Sequence, residues 1–224
     1  RYYLHAYRLA CESDQAHAGY VLRILAHQAF DLGHKAHCVQ LAEAALANNQ
    51  GRVSAETESL YWLTLARAHA AEQDRRQSLA ALTHAETLIE RANDDEPPPW
   101  ASLGGPPQAR LASQAGHAFA ALGDLAEAEK AYKRSAACWN PSTHQRIHSL
   151  TLADLAAVQC QRGHVEQACA TWNTALTGMD GVKSSRTKDA VTGMRSLLTP
   201  YRGRGIKAVA ALEQRAREFA KTNA

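Results

Sequence analysis

The sequence lacks the short motifs by which most enzymes are recognised. It has no G-x-S-x-G elbow, no P-loop, no G-x-G-x-x-G turn and no paired carboxylates in a catalytic context. The run GGPP at 104–107 is not followed by the Lys-Ser/Thr of a phosphate-binding loop. We therefore predict that the chain is not an enzyme, has no catalytic residue and needs no cofactor.

Cysteine pairs and long apolar runs are also missing. The five cysteines are odd in number and scattered, with no C-x-x-C pair. They are Cys11, Cys38, Cys138, Cys160 and Cys169. No apolar run approaches the roughly 18 residues that cross a bilayer, and no signal peptide is recognisable. These absences predict a soluble protein of a reducing cytoplasm.

Aromatic residues make up only 6% of the chain, and short β-branched runs bounded by turns are scarce. Alanine is abundant instead, and Leu, Glu, Arg and Gln are common among the other positions. Because these residues favour helices, we expect an all-α fold with almost no strand.

Four segments share one pattern of small and large residues, of which the clearest is Trp62-x-x-Leu65-Ala66 followed by Ser78-x-x-x-Leu82. Ala66 precedes Ser78 by twelve residues, and the same interval recurs in the other segments. Their pairs are Ala26 with Cys38, Gly116 with Ala128, and Ala156 with Ala168. Two antiparallel helices that pack closely need a small residue on each side of the crossing. The pattern is close to that of tetratricopeptide repeats.

We therefore predict one solenoid domain over residues 1–224, a tetratricopeptide-like right-handed superhelix of antiparallel hairpins. The predicted parts are a helix of an upstream repeat at 1–12, hairpins at about 16–48, 55–92, 109–139 and 143–178, a loop at 93–108, and capping helices at 184–221. A terminal cap is what an open stack of hairpins needs for solubility. The first helix has no partner of its own, which indicates that an upstream segment precedes it.

The turns inside the hairpins support the alignment. Gly33, Gly123 and Gly163 stand where a helix end needs a left-handed residue, and Gln73 takes that place in the second hairpin. The intervals are 40, 50 and 40 residues, and the longer one contains the proline-rich segment 93–108.

Five aromatic residues raise the question of core or ligand site. Trp62, Phe119, Tyr132 and Trp172 fall on the repeat pattern and are predicted to be core residues. Trp100 lies in the proline-rich loop, where it either covers a ligand or caps the stack.

Several segments together carry a family resemblance. They are EPPPW at 96–100, LGD at 122–124, LTLADLAAVQCQRGHVEQACA at 150–170, VKSSR at 182–186 and LTPYR at 198–202. In these segments the chain resembles the C-terminal region of actinobacterial transcriptional regulators that join an Xre (Cro/C1-type) helix-turn-helix to a tetratricopeptide-like sensor. The resemblance implies a regulatory context, with DNA bound only through a helix-turn-helix outside this sequence.

In a tetratricopeptide superhelix the first helix of each hairpin lines the concave groove. The positions predicted to face it are Tyr20, Arg23, His27, Asp31, Leu60, Leu63, Arg67, Arg110, Ser113, His117, Leu150, Ala153 and Asp154, with Trp100 from the loop. Three arginines in one groove suit a carboxylate, such as a peptide C-terminus or an acidic side chain. The alternative is that these arginines pair with nearby acidic residues or are solvated.

The sequence gives weaker evidence for a metal site or a nucleic-acid site than for a ligand groove. His144 and His148 have the i, i+4 spacing of a metal pair, but no acidic residue stands between them, and we predict no metal. Residues 181–224 hold 10 Lys/Arg against 3 Asp/Glu. This basic tail could contact phosphates, although Tyr201 is the only aromatic residue among its basic residues from Lys183 to Lys207.

The leading hypothesis is a noncovalent ligand-sensing and protein-interaction module whose groove binds a peptide, small molecule or protein. One alternative is a scaffold that binds a protein constitutively, without a ligand switch. The other is a nucleic-acid-binding repeat protein that uses the basic tail. The ligand and the oligomeric state, a homodimer included, stay open.

Overall fold

The structure is a computed structural model that describes residues 2–13, 15–47, 49–92, 105–182 and 184–222. Within these ranges every regular element is helical, which confirms the predicted all-α class. The helices are α1 (Tyr2–Ser13), α2 (Gln15–Asp31), α3 (Lys35–Ala47), α4 (Ala55–Ala71), α5 (Arg75–Arg91), α6 (Pro107–Ala121), α7 (Leu125–Cys138), α8 (Gln145–Gln161), α9 (Val165–Met179), α10 (Ser185–Leu198) and α11 (Lys207–Thr222), with a 3-10 turn at Thr199–Tyr201. None of these helices is long and apolar enough to cross a bilayer.

The helices form two compact units, Arg1–Gly123 and Asp124–Ala224. In the N-terminal unit each helix from α1 to α5 packs on the next, and α6 packs on α4 and α5. In the C-terminal unit α8 contacts α7, α9 and α10, while α11 packs on α9 and α10. The predicted single superhelix requires that the two units stack on one another, and this part of the fold stays a prediction.

The helix bounds lie within two residues of the predicted hairpins. Of the predicted loop 93–108, residues 93–104, with Trp100, lie outside the described residues, and α6 begins at Pro107. The pairs α2–α3, α4–α5 and α8–α9 enclose left-handed turns at Gly33, Gln73 and Gly163, whose φ angles are 79°, 63° and 84°. These turns end the first helix and reverse the chain, as the alignment predicts.

Side-chain caps fix where three helices start. The Ser54 hydroxyl accepts a hydrogen bond from the Thr57 amide (3.3 Å) at the start of α4. Asp74 accepts one from Gln77 (3.0 Å) at α5, and Asp124 caps α7 in the same way. Each cap satisfies an amide that the helix itself leaves unpaired.

The small residues of the repeat pattern are buried where the helices of a hairpin meet. Ala26, Ala66, Ala156 and Ala168 have no exposed surface, and Cys38 is 2% exposed. Of the predicted core aromatics, Tyr132 and Trp172 are buried, whereas Trp62 and Phe119 are half-buried. Close helix contact therefore selects small side chains at these positions.

The three buried cysteines are ordinary core residues. Burial raises the pKa of the Cys38 thiol to about 11 and that of Cys169 to about 11, and it also raises the pKa of Cys160. Because the thiolate is the reactive form, these side chains are inert at neutral pH.

Gln73 occupies a backbone conformation that normally requires glycine, and its side chain compensates for this. Its amide nitrogen donates to the carbonyl oxygens of Ala70 (3.2 Å) and Ala121 (2.8 Å). Gln73→Ala keeps the positive φ and loses both bonds, so urea unfolding should show a loss of about 1 kcal/mol. Gln73→Gly relieves the conformational cost while losing the same bonds, and should stay within about 0.5 kcal/mol of wild type. A larger loss for Gly than for Ala would contradict this explanation.

Candidate functional site

Three arginines that the sequence assigns to one groove meet in the N-terminal unit. Arg23 lies on α2, Arg67 on α4 and Arg110 on α6, and α4 packs against both of the other helices. We call the surface formed by these three side chains the arginine face. Burial is the main reason that the pKa of Arg23 is lowered, and the charges of Arg110 and Arg67 lower it further. Arg67 and Arg110 are therefore both close enough to Arg23 to repel it.

Arg110 and Arg67 have partners within the N-terminal unit. Arg110 forms an ion pair with Glu56 of α4, and the two side chains are only 10% and 14% exposed. Arg67 donates to the Gln114 side-chain oxygen (3.2 Å) and lies 4.8 Å above the ring of Phe30. These contacts position both guanidinium groups between neighbouring first helices.

Arg23 lies beside an aromatic ring of its own helix. Its guanidinium carbon lies 5.7 Å from the ring centre of Tyr20. Its Nε is buried, and no acceptor among the described residues takes a hydrogen bond from it. No carboxylate of the described residues forms an ion pair with Arg23. A buried donor without an acceptor is uncommon in folded proteins and costs free energy.

Two histidines flank the arginines. Burial, together with the charge of Arg67, lowers the pKa of His117 to about 3, so its imidazole is neutral at physiological pH. His27 Nε2 lies 3.5 Å from the hydroxyl of Thr64. The arginine face thus combines fixed positive charges with the neutral imidazole of His117, which suits an anionic ligand.

The remaining predicted site residues divide into three groups. Tyr20 and Ser113 are half-buried near the arginines, and Asp31 is exposed at the end of α2. Leu60 and Leu63 are 4% and 2% exposed, so the structure places them in the core and not on an open groove. Asp154, Leu150 and Ala153 lie on α8 in the C-terminal unit, and Trp100 lies outside the described residues.

Glu56 and Gln114 are not among the residues predicted from the sequence, although helical periodicity could have found both. Glu56 lies one turn before Leu60, and it extends the row that contains Arg67. Gln114 lies one turn after Arg110. Residues four apart share one helix face, so extending each row by a turn would have included them.

A separate cleft of about 500 Å³ lies in the C-terminal unit, between the start of α8, the end of α9, and α11. His148 and Ser149 line one side, and Asn173 and Thr177 line the other. Arg215 donates to both Asn173 oxygens (2.8 and 2.9 Å) and to the Thr177 hydroxyl (2.7 Å). These bonds anchor α11 on α9, so Arg215 has a structural role in this cleft.

The histidine pair and the basic tail are the two remaining features that the sequence analysis considered as sites. No group of three His, Cys, Asp or Glu in the described ranges is arranged to hold a metal ion. In the basic tail, Arg202 donates to Glu213 (2.6 Å), and Arg204 lies 5.4 Å above the ring of Tyr201. The Arg202 contact thereby attaches the segment after α10 to α11, and the Arg204 contact lies within that segment.

Glu129 of α7 is a buried carboxylate that holds two cations of the C-terminal unit. It pairs with Lys133 (2.7 Å) and with Arg162, which follows α8. Burial alone would raise the pKa of Glu129, but hydrogen bonds and charges from Lys133 and Arg162 outweigh it, and the net pKa is lowered. The folded state therefore favours the ionised form.

Glu129→Gln should lower the free energy of unfolding by about 1 kcal/mol at pH 7, because both cationic partners are partly exposed and can be solvated. A group with a lowered folded pKa stabilises above its unfolded pKa, and that contribution is lost as pH falls through the folded value. The difference between wild type and Glu129→Gln should therefore shrink when urea unfolding is repeated below about pH 4. A difference that is independent of pH would contradict the ionic explanation. Glu127→Gln, which removes an exposed carboxylate from the same helix, serves as the control.

A scan against models of known protein families finds no match to this chain, and a search of curated proteins finds no relative. The resemblance to actinobacterial regulators consequently stays a prediction.

Proposed function

We propose that the chain is a noncovalent ligand-sensing and protein-interaction module of a bacterial transcriptional regulator, and that a peptide, small molecule or partner protein binds on the arginine face. The observation that carries this proposal is the meeting of Arg23, Arg67 and Arg110 on three successive first helices, with the buried Arg23 Nε lacking an acceptor. A ligand that accepts from Arg23 would satisfy this donor.

Binding on this face would have a direct effect on stability. Because α2, α4 and α6 each contribute one arginine, a bound anion offsets the repulsion among three helices at once. A ligand that binds only the folded form raises the melting temperature through linkage. The regulatory readout would be a change in the helix-turn-helix domain that the family resemblance implies, with DNA contacted only there.

The test is a pull-down from lysate of the producing cell, with bound peptides, proteins and metabolites identified by mass spectrometry. The wild-type chain is compared with the triple variant Arg23→Ala/Arg67→Ala/Arg110→Ala. The matched control, Arg8→Ala/Arg52→Ala/Arg76→Ala, removes the same charge from exposed positions of the same unit. Circular dichroism checks that each variant is folded, and Arg23→Lys provides a milder change on the arginine face.

We expect a species that binds wild type and the control but is lost from the triple variant, and that raises the wild-type melting temperature. A protein that all variants retain, with no change in melting temperature, would instead support the constitutive scaffold. Binding of the chain to DNA or RNA with a steep salt dependence would support the nucleic-acid alternative.

A further inference from the structure

The ion pair between Arg110 and Glu56 shows which ligand chemistry the arginine face accepts. Glu56 lies in the first turn of α4, and its carboxylate reaches across to α6. The pair is nearly buried, and such a pair persists only when its geometry repays the loss of hydration. A carboxylate from the chain itself is therefore already seated on this face.

Arg23 provides a second position for an anion next to that pair. The charged neighbour of Arg23 on the side of α6 is Arg110, and Tyr20 and Tyr61 are also close to it. The Tyr61 hydroxyl donates to the Ala16 carbonyl oxygen (2.9 Å) and is oriented by that bond. The guanidinium of Arg23 thus faces aromatic rings and another cation, and its buried Nε has no acceptor among the described residues.

We propose that the carboxylate of the ligand binds between the neighbouring guanidinium groups of Arg23 and Arg110, and that Glu56 is an internal competitor that holds Arg110 until the ligand displaces it. This inference rests on the proposed function and names its ligand class. A carboxylate fits the guanidinium fork with two parallel hydrogen bonds, which Lys would not provide. Release of Glu56 frees the first turn of α4, so the same exchange changes the contact between α4 and α6.

The first experiment observes Arg23 directly in the wild-type chain. The signal of its Nε–H group is followed by two-dimensional 15N NMR and assigned by its disappearance in Arg23→Lys. Sodium acetate is titrated against sodium chloride at equal ionic strength, with inorganic phosphate as a further arm. We expect acetate to shift the Arg23 signal in a saturable way and chloride to leave it in place. A signal that phosphate shifts and acetate does not would overturn the carboxylate assignment.

The second experiment tests the role of Glu56. If Glu56 competes for the site, Glu56→Gln should strengthen acetate binding by about fivefold, the equivalent of a pair worth about 1 kcal/mol. Glu72→Gln removes the same charge from the exposed C-terminal end of α4 and should leave binding unchanged. Equal or weaker acetate binding in Glu56→Gln would show that Glu56 is a purely structural partner of Arg110.

The two proposals can fail separately. If the pull-down yields a species that the triple variant loses, and acetate does not shift the Arg23 signal, the proposed function stands and the carboxylate assignment is wrong. Saturable acetate binding with no captured species would instead support the carboxylate site and remove the support for a cellular ligand on this face.

Discussion

Replacing Gly19 by alanine is expected to lower the free energy of unfolding by about 2 kcal/mol, although alanine is the better helix former. A Cβ atom at this position of α2 would lie 2.4 Å from Asn49 Nδ2 and 3.0 Å from the Tyr61 hydroxyl oxygen. Neither neighbour can retreat easily. Asn49 is 1% exposed and donates to the Ala45 carbonyl oxygen (2.9 Å), and Tyr61 is buried and bonded to α2. The helix must therefore shift or break one of these bonds.

Gly193→Ala in α10 is the matched control for this prediction. Gly193 is exposed in the middle of its helix, and a Cβ there would meet nothing within 4 Å. This substitution should therefore raise stability by about 0.5–1 kcal/mol. Urea unfolding of the two variants measures the contrast. If Gly19→Ala were as stable as wild type, α2 would not be held this closely to Asn49 and Tyr61.

Much of the fold could be predicted because the determining signals are local. The twelve-residue interval between Ala66 and Ser78 joins positions on two helices that a short turn connects, so their meeting follows from helix geometry alone. The turn at Gln73 could be predicted from its place in the alignment. The hydrogen bond from the Gln73 side chain to Ala121 could not be predicted. That bond depends on where α6 packs, which local sequence does not encode.

For the candidate site, the sequence predicts which helix carries each residue, but it does not predict which side chains face the ligand and which face the core. Periodicity placed Arg23, Arg67 and Arg110 on first helices, and the structure brings them together. The same reasoning assigned Leu60 and Leu63 to the groove, yet both are buried. Successive residues of a helix are separated by about 100°, and a small rotation of α4 therefore decides which side chains face the core.

The predicted groove takes residues from both compact units, and as one continuous surface it stays a prediction. The sequence alignment treats all four hairpins as equivalent, and it therefore assigned Asp154 of α8 to the same surface as Arg23. The cores are nevertheless formed separately: Leu22, Ala26 and Tyr61 belong to the N-terminal one, and Trp172 and Leu212 belong to the C-terminal one. The arginine face can thus be tested within one unit.

His117 is expected to make the protein lose stability as the solution is acidified through the range in which histidine normally titrates. Burial and then the charge of Arg67 lower the pKa of His117 from 6.5 to about 3. Between these values the unfolded chain binds a proton that the folded chain excludes, so stability rises with pH. Each pH unit corresponds to about 1.4 kcal/mol, so the fall from pH 7 to pH 5 should cost about 2 kcal/mol.

This range lies above the pH at which carboxylates such as Glu129 titrate, so the two contributions can be separated. His117→Gln removes the titrating group but keeps a polar side chain, and its free energy of unfolding should change by less than about 1 kcal/mol over the same range. His148, whose pKa burial also lowers, provides the control, since His148→Gln should leave most of the wild-type slope intact. A wild-type stability that stays constant from pH 7 to pH 5 would mean that His117 accepts its proton in the folded state. The arginine face would then carry a further positive charge beside Arg67, and anion binding there should strengthen on acidification.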